Sequence, residues 1–137
     1  IEKSMKQIVE LEKADPINFN QLVRWVNNKE AHADKVQEIV YQYFMNQRIK
    51  PAAKGEGESY DKYVKEITLL HRMLVQAMKT KQSTDLSHVK NLRDLLDEFD
   101  ASYFGTEKEE ADMGRGHGSG KGHGPGAGHG HGHGHGN

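Results

Sequence analysis

Residues 60–81 read YDKYVKEITLLHRMLVQAMKTK, and their periodicity decides the fold. Tyr60, Tyr63, Val64, Ile67, Leu70, Leu74, Ala77 and Met78 recur at spacings of three and four, which lays one apolar stripe along an α-helix. The short link Gln82-Ser83-Thr84-Asp85 follows, and its last three residues are competent helix N-caps. Beyond it, Leu86, Val89, Leu92, Leu95, Leu96 and Phe99 form a second stripe that carries a helix to residue 104. Two helices joined by so short a link pack as antiparallel neighbours. Gly105 stands where a helix C-cap belongs.

Upstream of this hairpin, residues 49–59 contain Pro51, Gly55 and Gly57 and read as a loop. Before the loop, Phe19, Leu22, Val23, Val26, Ala33, Val36, Val40, Tyr43 and Phe44 predict one long helix over 17–48, with Asn27-Asn28 as a point of bending. Ile1, Met5, Ile8 and Val9 predict a first helix over 1–13. It must end before Asp15-Pro16, because the residue preceding a proline is pushed out of the α region. Asp15 is then expected to cap the second helix, with Pro16 at its first position. No strand alternation occurs. The expected fold is all-α, a small three- to four-helix bundle over residues 1–105, followed by an acidic connector over 106–113 and a tail over 114–137.

The tail is the most regular part of the chain. From Gly114 to Gly136 every second residue is glycine, and six of the nine histidines stand between them. With no apolar side chain larger than alanine or proline after Gly114, the segment has nothing to bury and is expected to be disordered when free. In extended form its side chains line one edge and leave the other bare. His117, His123, His129, His131, His133 and His135 are the candidate metal ligands, since imidazole suits nickel, zinc and copper. In composition the tail resembles the histidine-rich tails of nickel and zinc accessory proteins such as urease and hydrogenase chaperones. That resemblance covers about a sixth of the chain and says nothing of the bundle.

Composition excludes several classes. The chain has 137 residues, no cysteine and a net charge of −1. Disulfides, Cys-ligated zinc and iron–sulfur clusters are therefore absent from these residues. The charge balance is not that of a nucleic-acid binder, and no apolar run reaches a membrane span. All 20 acidic residues precede Gly114, while Arg115 and Lys121 make the tail weakly cationic. Because Ile1 stands at the first position, export followed by removal of a signal is one expectation, and a cytoplasmic protein the other.

The body offers little overt chemistry. His71 is expected half-buried beside Leu70 and Leu74, His88 on a helix surface, and His32, Asp34 and Glu38 on a solvated face. Met5, Met73, Met78 and His71 read as packing rather than haem ligands. Trp25, Tyr41, Tyr43 and Tyr103 read as core or interface anchors. No nucleophile stands near a base, and no phosphate-binding glycine loop occurs. The chain is thus expected to be no enzyme and to require no cofactor. The expected function is an accessory or assembly factor that docks on a larger complex, a metalloenzyme being the favoured partner, with its tail as a strap. A freestanding nickel, zinc or copper chaperone or store is the alternative, and self-association is a further expected contact.

Overall fold

The computed structural model describes residues 1–113, with side chains through residue 105. It is all-helical, with four helices and no strand among the described residues. Helix α1 spans Glu2–Glu12, α2 spans Phe19–Glu38, α3 spans Glu58–Gln82 and α4 spans Leu86–Met113. A π-helical segment, Ile39–Arg48, continues α2 without a break. The tail histidines lie outside the described residues.

Several boundaries differ from the sequence expectation. The cap of α2 is Asn18, whose side chain accepts the Gln21 amide at 3.2 Å, rather than Asp15. The Asp15–Pro16 peptide is cis, and Pro16 stands outside the helix. Asn27-Asn28 does not interrupt α2, because Asn28 donates to Ser4 Oγ on α1 at 2.9 Å and Lys29 is anchored in the interior. The change comes later, at Ile39, where hydrogen bonds widen from i→i−4 to i→i−5. The last of them runs from the Ile49 amide to the Phe44 carbonyl at 2.9 Å. Gly105 does not end α4, which passes through it to Met113. Gly57 does mark a boundary: it precedes α3 with φ of 58° and ψ of −121°, a positive-φ conformation that glycine adopts freely and L side chains rarely do.

The α3–α4 hairpin forms the core expected from its two stripes. Leu69, Leu70 and Met73 meet Leu92, Leu95, Phe99 and Tyr103, and Val40 and Ile49 close the cluster. Phe99 stacks on Tyr103 with ring centroids 5.4 Å apart, and Phe44 stands edge-on to both. Helix α1 packs chiefly on α2 through the buried Ser4, Met5 and Ile8. The stripes are rotated from expectation: Val64, Met78, Leu86 and Leu96 are exposed, while Glu66, Thr80 and Lys29 are buried. Phe19 and Val23, expected in the core, are exposed, while Leu22, Trp25 and Val26 of the same turns are half-buried.

Candidate functional site

The apolar faces of α2, its π-helical continuation and α4 leave a cleft of about 440 Å³ that the start of α1 overhangs. Its floor is Val36, Val40, Met73 and Leu92, and its mouth carries Glu2, His32 and Arg93. Glu2 joins the helices there. Its Oε1 accepts Lys6 Nζ at 2.6 Å and its Oε2 meets Arg93 Nη2 at 2.7 Å. The bond from Lys6, followed by the positive charges of Arg93 and Lys6, holds the Glu2 carboxyl below the usual carboxylate range. Glu2 is therefore an ionised tether whose two oxygens are already engaged.

The histidines of the body do not converge. His32 stands exposed at the mouth of the cleft on α2, His71 is exposed on α3, and His88 is half-buried on α4. His71 thus differs from its half-buried expectation, since α3 turns Leu69, Leu70 and Met73 inward and His71 away. His88 Nδ1 lies 3.2 Å from Gln76 Oε1, a local contact of the α3–α4 hairpin. Asp34 pairs with Lys81, and Glu38 with Lys35 at 3.0 Å, so both are committed to cations. Met5 and Met73 pack in the interior as read. Among the described residues no three His, Cys, Asp or Glu side chains gather to hold a metal ion.

Two interior polar groups went unnoticed in the sequence. Lys29 is 4% exposed and donates to the carbonyls of Lys81 at 2.8 Å and Ser83 at 3.0 Å, which close α3. Burial pushes its ammonium below the ordinary lysine range. Glu66 is 3% exposed, accepts Ser102 Oγ at 3.2 Å and lies 3.8 Å from Lys62 Nζ. Burial raises its carboxyl, against the opposing pull of Lys62 and Ser102. The signal for both was present: Lys29 falls in register between Val26 and Ala33, and Glu66 between Tyr63 and Leu70.

The body is thus a helical scaffold with an apolar cleft bordered by charge, and its described side chains complete no metal site. Residues 1–107 match the family model of the nickel-containing superoxide dismutases. That span is more than three quarters of the chain, and the protein belongs to this family. No curated protein and no solved structure matches it.

The family overturns the functional expectation drawn from composition. A superoxide dismutase is an enzyme, so the readings as a non-enzymatic accessory factor and as a freestanding metal chaperone or store are both corrected. The expectation that no cofactor is required falls with them, and of nickel, zinc and copper the family supports nickel. The physical reason lies in the reaction class. Absence of a nucleophile–base pair argues against group transfer and hydrolysis. It has no bearing on one-electron chemistry at a metal, where the ion supplies the reactivity.

Proposed function

We propose that this protein catalyses the disproportionation of superoxide, two superoxide ions and two protons giving dioxygen and hydrogen peroxide. The observation that carries the proposal is the family match over residues 1–107, which spans the helical body up to the last turns of α4. Nickel, when bound, supplies the one-electron exchange. The described residues do not fit that ion unaided, because no three donors converge among them. We place its donors within these 137 residues on the tail: His129, His131, His133 and His135, with His117 and His123 assisting. Support comes from donor chemistry, since neutral imidazole is a good nickel ligand and the tail concentrates six of nine histidines.

The test is made on the full chain loaded with nickel(II), against the metal-free chain and a chain truncated after Asp112. Nickel binding is followed by calorimetry and superoxide loss by its ultraviolet absorbance. Nickel-dependent dismutation by the full chain, with binding lost on truncation, is the expected result. A truncated chain that keeps both binding and activity overturns the tail assignment and leaves the enzyme reading standing. A full chain that binds nickel and leaves superoxide untouched overturns the enzyme reading.

A further inference from the structure

Helix α3 presents to solvent a methionine that its sequence stripe assigns to the core. Met78 is 49% exposed, because α3 turns Met73, Ala77 and Thr80 inward and leaves Met78 on its outer side, one turn beyond the half-buried Leu74 and Val75. We propose that the Met78 thioether is a modification site for hydrogen peroxide, oxidised to the sulfoxide while the interior methionines are spared. Peroxide is a product of the reaction proposed above, and the assignment rests on that reading for the source of its oxidant.

Three observations carry the assignment. First, access separates the methionines. Met5 is 0% and Met73 4% exposed, and Met45 is half-buried against the core cluster. Peroxide must bring an oxygen into contact with the sulfur, so a buried thioether reacts only when the fold opens around it. Met78 needs no such opening. Second, these 137 residues contain no cysteine, so thioethers are their only sulfur centres and no thiolate competes for the oxidant. The reaction needs nothing else. The sulfur lone pair attacks one peroxide oxygen, the O–O bond breaks and an S–O bond forms. The departing hydroxide takes the proton of the transferred hydroxyl and leaves as water, so methionine loses the two electrons that peroxide gains. Third, the change falls where the fold can carry it. His71, Val75, Met78 and Gln82 follow one another at spacings of three and four, which sets them in a row along α3. His71 and Gln82 are exposed like Met78, and Met78 takes no part in the core cluster. The sulfoxide turns a flexible apolar side chain into a polar one, here beside polar neighbours in water.

The test is made on the full, metal-free chain with hydrogen peroxide added directly, so a chain without dismutase activity still tests the site. Mass spectrometry of its peptides follows each methionine with time. Met78 should be converted at least about tenfold faster than Met5 and Met73, the factor that a local opening of only about 1.4 kcal/mol imposes. Circular dichroism of the oxidised chain should show unchanged helix content and a Tm shifted by less than about 4 °C, as a change at an exposed position gives. Treatment with a methionine sulfoxide reductase should return Met78 to the thioether. In Met78→Leu the rates at Met5, Met45 and Met73 should stay as in wild type. Conversion of Met5 or Met73 as fast as Met78 overturns the site. Loss of helix in step with Met78 oxidation, or faster oxidation of Met73 in Met78→Leu, overturns it as well, because either makes Met78 a packing residue.

Discussion

Replacing Lys29 by methionine separates two opposing effects at one buried atom. The ammonium closes the end of α3, where the last carbonyls of a helix have no partner within it and where the dipole favours a cation. Its bonds to the Lys81 and Ser83 carbonyls, at 2.8 and 3.0 Å, are both charge-assisted. Such bonds contribute roughly 1.5–3 kcal/mol each, so the pair contributes on the order of 3–6 kcal/mol before desolvation is counted. Taking an ammonium out of water costs several kcal/mol, and the lowered lysine pKa shows that this cost is felt. Methionine keeps most of the volume, and Lys81 and Ser83 are half-buried, so water can reach part of what is vacated. The expected loss is about 1–3 kcal/mol, or roughly 4–12 °C in Tm for a domain of this size. Thermal and urea melts followed by circular dichroism at pH 7 measure it. The sign of the pH effect gives an independent check. Between the lowered folded pKa and the unfolded value of 10.5, the unfolded chain holds a proton that the folded chain has released, so wild-type stability rises with pH there. The gap between wild type and Lys29→Met should widen from pH 7 to pH 10. A methionine variant that melts at or above wild type at pH 7 would refute the reasoning, because desolvation would then outweigh both hydrogen bonds.

Phe99→Ala should destabilise by about 3–5 kcal/mol, since Phe99 is 1% exposed and holds the Phe44 and Tyr103 rings; a urea melt with a loss under 1 kcal/mol would place the core elsewhere. Glu66→Gln should be more stable than wild type at pH 7 but not at pH 4, because a carboxyl raised by burial loses stability as pH climbs from 4.5 through its folded pKa and glutamine has no proton to lose; a gap that narrows with rising pH contradicts this. Nickel affinity of the full chain should fall below about pH 6, as imidazole must shed its proton to bind, and calorimetry at pH 5 and 7.5 reads the change.

The helices were legible because a buried stripe leaves a period, and the α3–α4 hairpin has the cleanest one. Leu70, Ala77, Val89, Leu92, Leu95 and Phe99 are all in the interior, as their spacing requires. What failed were the edges of the stripes. Phe19, Val23, Leu86 and Leu96 fit the apolar pattern and are exposed; Leu96 stands beside the buried Leu95 and one turn from the buried Leu92 and Phe99, so it lies on the edge of its stripe that faces away from the core. The reverse error concerns Lys29 and Glu66, polar residues standing in apolar register. Periodicity reads such residues as interruptions, whereas the fold buries them with partners from distant turns, Ser83 and Ser102, which no local rule brings near. The passage from α to π geometry at Ile39 is equally silent locally. Its consequence, Phe44 turned toward Phe99 while Tyr41 and Tyr43 remain exposed, depends on what α4 presents opposite.

Function was less legible for a different reason. Reading chemistry from residues works where a reaction needs several side chains at fixed spacing, and the body has no such cluster: His32, His71 and His88 sit on three different helices. A metal-dependent electron transfer asks less of the scaffold. It needs donors for the ion and a protected approach for a small anion, and neither demands that the donors lie in the bundle. The family relation extends over residues 1–107 rather than over a short motif. Among the described residues no three donor side chains gather to hold a metal ion, which is why the proposed function looks for nickel donors outside the bundle. Under the proposed function the tail imidazoles carry the ion, and the apolar cleft fringed by Glu2, His32 and Arg93 is the part of the bundle tested for a role beside it. The His32→Ala variant separates the two parts of that arrangement. Should the ion rest at the cleft, dismutation would drop while nickel affinity, set by the tail, stayed within about threefold of wild type, a change under 1 kcal/mol. Unchanged dismutation would place the metal away from the cleft.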